Sequence, residues 1–216
     1  ISSAQSLCTY FNQMSDNLSK LQDDCNEEIR NRVDEINSIS EKISLLNKEI
    51  NQIETGTGVE ASSLRDERAN LMDNLSKIVN VSYKETPIQN TTGDNLGGTS
   101  FCLFVNGEKI VDGKDYRKLV CESTDIKNNQ TDNDDLFKIY WADTKMEFVA
   151  TAGTAGGSLK ALFEMRDGDN LENFKGKVTQ ADSYSFTVSN TSLTNIKSLN
   201  LPDTNGKITV DHVTYT

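Results

Sequence analysis

Between residues 1 and 55 the apolar positions fall at Leu7, Phe11, Met14, Leu18, Leu21, Cys25 and Ile29, then at Ile36, Ile39, Ile43, Leu46, Ile50 and Ile53, with steps of four and three alternating almost throughout. This is the spacing of a heptad-type helical seam. Arg32 sits where an apolar residue is due, and the extra four-residue step from Cys25 to Ile29 reads as a stutter in the repeat. The stretch holds neither Gly nor Pro. It therefore predicts one continuous helix of about 50 residues, about 75 Å long at 1.5 Å per residue. "TGTG", residues 55 to 58, ends it, because glycine supplies a left-handed cap and a flexible turn.

A second helical pattern follows in "SSLRDERANLMDNLSKIVNV", residues 62 to 81. Leu64, Leu71, Leu75 and Ile78 form its apolar stripe, so residues 62 to 80 are expected to pack back on the first helix as an antiparallel hairpin. Ser63 followed three residues later by Asp66 predicts a capping box, with the carboxylate at the positive end of the helix dipole. The charged run Arg65, Asp66, Glu67, Arg68 thus reads as a helix start. A reactive role for Asp66 or Glu67 would need a converging group such as a histidine, and the chain's one histidine is the distant His212.

From residue 81 the period changes to two and Gly, Asn and Asp begin to punctuate. "FCLFVNGEKIVDG" predicts a tight hairpin turning at Asn106–Gly107. "LFKIYWADTKMEFVAT" predicts a second hairpin turning at Asp143–Thr144, with "YRKLVCE" as a strand between the two. "TTGDNLGG" (91 to 98) and "DIKNNQTDNDD" (125 to 135) read as solvated loops. After "AGTAGGS" a short helix, "LKALFEMRD", is expected, and "SYSFTVSN", "KSLNLPDTNG" and "KITVDHVTYT" are β-patterned again. The expected fold class is α+β: a long, coiled-coil-like antiparallel helical hairpin, then an antiparallel β domain and a further β-rich segment. The divisions expected are 1–81 (helical hairpin), 82–152 (β domain), 153–170 (short helix and connector) and 171–216 (an inserted, incomplete β-rich domain).

Charge narrows the partners. The chain of 216 residues has a net charge of −11 and an apolar fraction of 35%, enough for one or two domains but lean in core-forming residues. Residues 1 to 80 carry 8 basic and 14 acidic side chains, so even the helical part offers no basic face to a phosphate backbone or an anionic lipid surface. Neither nucleic acid nor membrane is expected as a partner, and no apolar run approaches the roughly 18 residues of a membrane span. Starting at Ile1 without a basic-then-apolar leader, the sequence reads as an internal fragment.

Candidate chemistry is sparse. Asp132, Asp134 and Asp135 have the look of a calcium loop but lack its glycine at the sixth position and glutamate at the twelfth, and Asp167 and Asp169 read the same way, as solvated turns. Gly153 to Lys160, "GTAGGSLK", places glycines before a helix as phosphate loops do, but its lysine neither follows the last glycine directly nor precedes Ser or Thr, so it reads as a flexible entry. Tyr140 and Trp141 could form a stacking platform, though a hairpin strand needs aromatics for its core. Cys8, Cys25, Cys102 and Cys121 show no zinc or redox spacing. Cys8 and Cys25 read as seam residues about 25 Å apart by helical rise, and a bond between Cys102 and Cys121 as strand neighbours stays open. No catalytic, cofactor-binding or metal-ligating set is assembled, and no cofactor and no enzymatic activity are expected.

Taken together, "INSISEKISLLNKEINQIETGTGVEASSLRDERANLMDNLSKIVNV", "LFVNGEKIVDGKDY" and "GGSLKALFEMRDGDN" resemble the bacterial flagellar hook-associated protein 1 family. The resemblance covers about residues 25 to 166. It departs at Ala69, where the family carries a second acidic residue after the arginine. It implies a structural, extracellular component of the flagellum, exported by the flagellar type III system and joining hook to filament by subunit packing. The implied partners are further copies in a ring, the hook protein, other hook-associated proteins, and an export chaperone that binds a terminal helix outside this sequence. Residues 171 to 216 look like an insertion of the clostridial members. Two other readings stay open: a generic coiled-coil and β-module binding protein of a cell surface or phage tail, and, third, a carbohydrate-active accessory domain.

Overall fold

The computed structural model describes residues 2–124 and 132–167, and beyond them the backbone of strands at 177–181, 186–189, 208–210 and 213–215. The chain falls into two compact units, Ile1–Asp167 and Gly168–Thr216.

In the first unit α1 runs unbroken over Ser2–Glu54, 53 residues and about 80 Å. α2 spans Ser62–Ile78 and folds back on α1 as the hairpin expected from the pattern. Strands β1 (Val81–Gln89), β2 (Asn95–Val105), β3 (Glu108–Asp112) and β4 (Asp115–Tyr116) form an antiparallel sheet in sequential order. β5 (Leu119–Thr124) and β6 (Leu136–Trp141) form a separate two-stranded sheet, and α3 (Gly157–Asp167) follows. One core serves all of these. Ile36 and Ile43 of α1, Leu75 of α2, Phe101 and Leu103 of β2, Ile139 and Trp141 of β6, and Leu159 of α3 belong to a single buried cluster. α1 is its spine, touching α2, α3 and every strand from β2 to β6.

The buried face of α1 corrects the register read from apolar residues alone. Ile29, Ile36, Ile43 and Ile50 stand seven residues apart, each fully buried. Between them runs a second buried row at the same period: Asn26, Val33, Ser40, Asn47 and Glu54. The steps of three and four alternate without interruption from Asn26 to Glu54, so the buried seam past Cys25 is regular. Val33 takes the place assigned to Arg32, whose side chain lies part-exposed between Glu28 and Glu35. Apolar residues alone do not show this row, because four of its five members are polar. Burying each isoleucine contributes roughly 2 kcal/mol. The polar row contributes little unless satisfied, and its partners decide the geometry of the site.

Several loops are also not what the pattern suggests. The Asn106–Gly107 turn is as expected, with both residues at positive φ and Val105 facing Glu108. The second hairpin turns at 142–145, but its return arm makes only an isolated bridge, Tyr140 to Glu147. Trp141 is core, edge-on to Phe148. Asn95 to Gly98, read as solvated loop, opens β2 and crosses the end of α1: a Cβ on Gly97, at φ +93°, would overlap the Glu54 carbonyl oxygen, and one on Gly98 would lie 2.6 Å from Asn51 Oδ1. Gly157, read as part of a flexible entry, passes as closely over the Ile78 carbonyl at the end of α2, at φ +82°. Gly97 and Gly98 at one helix end and Gly157 at the other thus let other elements cross where a Cβ would collide.

The second unit contains β7 (Lys177–Ala181), β8 (Phe186–Ser189), β9 (Ile208–Val210) and β10 (Val213–Tyr215), in the order β10-β9-β8-β7 with β8 and β9 parallel. Asp169, His212 and the segment "KSLNLPDTNG" lie outside the described residues.

Candidate functional site

Two buried arginine clusters hold the β elements and the shorter helices to α1. The first forms where α1 ends, α2 begins and the β1–β2 ribbon passes. Glu54, the last residue of α1, accepts hydrogen bonds from Arg65 Nε and Nη2, both at 2.7 Å, and from the Ala61 backbone N–H at 3.0 Å. Arg65 Nη1 reaches Glu85 of β1 at 2.9 Å, and Arg68 Nη2 reaches the same carboxylate at 3.0 Å. Arg68 Nη1 donates to Asn47 Oδ1 of α1 at 2.9 Å, its guanidinium lies 4.0 Å over the Phe101 ring, and Thr99 donates its hydroxyl to Glu85. Asn47 in turn donates to the Gly113 carbonyl at 2.8 Å, and Asn51 accepts from the Thr99 N–H at 2.8 Å.

This corrects the reading of the charged run. The helix does begin there, but its N-cap is Ala61 with no side-chain cap bond, and Ser63 is already inside the first turn. Glu54, from the preceding helix, satisfies the Ala61 N–H instead. Asp66 and Glu67 are exposed, while the two arginines flanking them point inward. The hydrogen bonds from Arg65 hold the Glu54 carboxyl below the usual glutamate range. For Glu85, burial pushes the other way, but hydrogen bonds from Thr99 and Arg68 and the charges of both arginines outweigh it and leave that carboxyl lowered too. Arg65 is raised, through its hydrogen bond to Glu54.

The second cluster lies toward the other end of the buried part of α1. Arg166 of α3 donates through Nη1 to Asn26 Oδ1 at 2.9 Å and to the Phe137 carbonyl at 2.8 Å, and pairs with its neighbour Asp167 at 2.7 Å. Asn26 accepts from the Phe137 N–H at 2.8 Å. One turn earlier Gln22 accepts from the Asn133 N–H and donates to Asp132 Oδ1 and to the Arg166 carbonyl. Asp132, expected in a solvated turn, is buried, and Asn133 donates to the Ser19 carbonyl at 2.8 Å. Between the clusters Asn37 both accepts from the Leu119 N–H and donates to the Leu119 carbonyl, each at 2.8 Å, as a neighbouring strand would. The row of amides along α1 thus substitutes for peptide groups that β5, β6 and the β3–β4 turn leave unpaired.

Nothing in this arrangement brings a nucleophile to a base. Among the described residues no group of three or more His, Cys, Asp or Glu is placed to hold a metal ion, and no helix is long and apolar enough to cross a membrane. Cys102 and Cys121 are free and are not strand neighbours. Cys102 sits on β2 and donates to Asp112, whereas Cys121 faces Ile139 in the other sheet. Cys25 is buried in the seam and Cys8 is exposed. Beyond the clusters, toward the N-terminus, Leu7, Phe11, Met14, Leu18 and Leu21 continue the apolar stripe of α1 but are 41 to 61% exposed.

A single helical spine with sheets pinned to one half and a bare apolar stripe on the other defines a structural, packing-type module. The chain belongs to the family described as "Flagellar hook-associated protein FlgK helical domain", whose match covers residues 1–201. It is 28% identical over 193 residues to flagellar hook-associated protein 1 of Salmonella typhimurium, covering 88% of this chain and 33% of that protein. The Escherichia coli protein of the same name is 28% identical over 162 residues (71% and 26%), and that of Bacillus subtilis 27% over 117 residues (52% and 23%). The fold is also that of the flagellar hook junction protein FlgK from Burkholderia pseudomallei, with a TM-score of 0.55 and 20% identity over 76% of this chain and 27% of that one. The chain spans between about a quarter and a third of the length of these relatives.

Proposed function

We propose that this chain is the helical-domain portion of an extracellular adaptor that joins the flagellar hook to the filament through subunit packing. The observation that carries the reading is the family match over residues 1–201, together with relatives named as flagellar hook-associated proteins. The structure supports a packing role: the charged and amide side chains that could have been chemical are spent on joining elements to α1. The partners we propose are further copies in a ring, the hook protein and other hook-associated proteins, with an export chaperone binding elsewhere in the longer protein. Export by the flagellar type III system and the absence of catalysis belong to the same proposal.

The exposed stripe from Leu7 to Leu21 supports it further, since an apolar row of that length on a 53-residue helix needs a covering helix in the intact protein. Deleting the gene in the bacterium that encodes it tests the reading. Hooks without attached filaments are expected, restored by the full-length gene. Normal filaments on the deletion strain would refute it.

A further inference from the structure

The two arginine clusters differ in what protonation would do to them. At the first, the links between elements are ionic: Glu54 belongs to α1, Arg65 and Arg68 to α2, and Glu85 to β1. The other groups facing it are Asn47 and Asn51 from α1, Thr99 and the Phe101 ring from β2, and Glu60 from the turn, 72% exposed and 3.9 Å from Arg65 Nε. At the second, Arg166 reaches other elements through neutral acceptors, the Asn26 amide and the Phe137 carbonyl, its carboxylate partner Asp167 is its own neighbour on α3, and the carboxylates Asp132 and Asp23 accept there from the neutral amides of Gln22 and Asn133. The remaining ion pairs between elements among the described residues, Arg117–Asp143, Lys145–Glu122 and Lys138–Glu147, lie at the surface within residues 117–147.

We propose that the Glu54–Arg65–Glu85–Arg68 joint is an acid-operated release, which frees the α1–α2 turn and the far end of the β1–β2 ribbon, residues 85–100, from α1 while Phe101, Leu103 and the Asn26–Arg166 end stay in place. Neutralising Glu85 leaves Arg68, whose side chain is 5% exposed, as a buried cation beside an uncharged partner. Neutralising Glu54 takes one of two close carboxylates from the half-buried Arg65, which keeps Glu85, and weakens the Ala61 tie. A buried, uncompensated charge must regain water, and it does so where the joint is thinnest. The glycine-rich turn, with Gly56 and Gly58 at positive φ, and the largely exposed β1 are the segments that can move aside without opening the core. The sign follows from both carboxyls being lowered in the folded chain. The stabilisation is whole above the ordinary glutamate value of 4.5 and is lost as pH falls through the lowered values.

The test is hydrogen exchange by mass spectrometry on the whole chain from pH 7 to pH 3, corrected for the intrinsic exchange rate, with emission of the sole tryptophan, Trp141, followed in parallel. Peptides within 55–70 and 85–100 should lose at least ten-fold protection in acid while Trp141 emission and peptides within 22–40 and 159–167 hold. Glu85→Gln should show that loss for 85–100 already at pH 7 and a flatter acid response. Loss of all segments together with Trp141 in one transition, or unchanged protection of 85–100 down to pH 3, would overturn the proposal whether or not the variant folds.

Discussion

Asn26 and Asn47 stand three heptads apart on the same row of α1, and each accepts a hydrogen bond at 2.9 Å from a buried arginine of another helix, Arg166 and Arg68. In both cases the guanidinium also lies over a phenylalanine, Phe163 at 4.7 Å and Phe101 at 4.0 Å. The repeat of α1 therefore spaces two polar clamps as well as its isoleucines. Each clamp sets the height at which an outside element meets the helix.

If Arg68 is a clamp, truncating it must strand its acceptors. Arg68→Ala should cost about 3 kcal/mol in urea unfolding followed by Trp141 fluorescence, because Glu85 loses a partner inside a mostly buried joint and the Asn47 oxygen loses its donor. A loss below about 1 kcal/mol, the ordinary worth of a surface ion pair, would show that the cluster is not holding the elements together.

The glycine crossing gives a paired comparison. Gly97 and Gly107 both have positive φ, yet a Cβ would collide with Glu54 at the first and meet nothing within 4 Å at the second. Gly107→Ala should cost about 1 kcal/mol, the backbone term alone. Gly97→Ala should cost at least about 2 kcal/mol more and shift the exchange protection of residues 95–100. Equal costs would mean that β2 can back away from the helix end.

Leu75 is fully buried at the α1–α2 contact, whereas Leu18 is 59% exposed. Leu75→Asp should unfold the hairpin, since a charge in a dry seam costs on the order of 3 kcal/mol or more. Leu18→Asp in the isolated chain should change stability by less than about 0.5 kcal/mol, while in the full-length protein it should impair assembly of the flagellum. A large effect of Leu18→Asp on the isolated chain would mean that the stripe is already covered.

The thiols should separate by reactivity. Burial pushes the Cys121 thiol up to about 11, so at pH 8 it is almost entirely in its unreactive protonated form, and Cys25 is both buried and raised for the same first reason. Cys8 is exposed on the unsupported arm of α1. With a chromogenic disulfide reagent, Cys8 should react first, Cys121 and Cys25 only slowly, and all four at one rate in denaturant. Fast labelling of Cys121 in the native chain would contradict its placement.

What the sequence determined by itself were the features set within a turn or two of the chain. A nearly continuous three-four repeat without Gly or Pro makes α1, "TGTG" ends it, Asn106–Gly107 makes a tight turn, and the same strings carry the family resemblance. Tertiary structure decided which polar residues belong inside. The partners that satisfy Asn26 and Asn37 lie far away in the chain, 140 residues between Asn26 and Arg166 and 82 between Asn37 and Leu119, and those of Arg68 lie on other elements, so no local pattern announces them. Charged and amide residues therefore read as surface or as breaks in the repeat, and Val33 does not stand out because its row is otherwise polar. The glycines at 97 and 157 read as loop for the same reason: what they must avoid is backbone from another element, and a sequence shows only the missing side chain, never what passes over it.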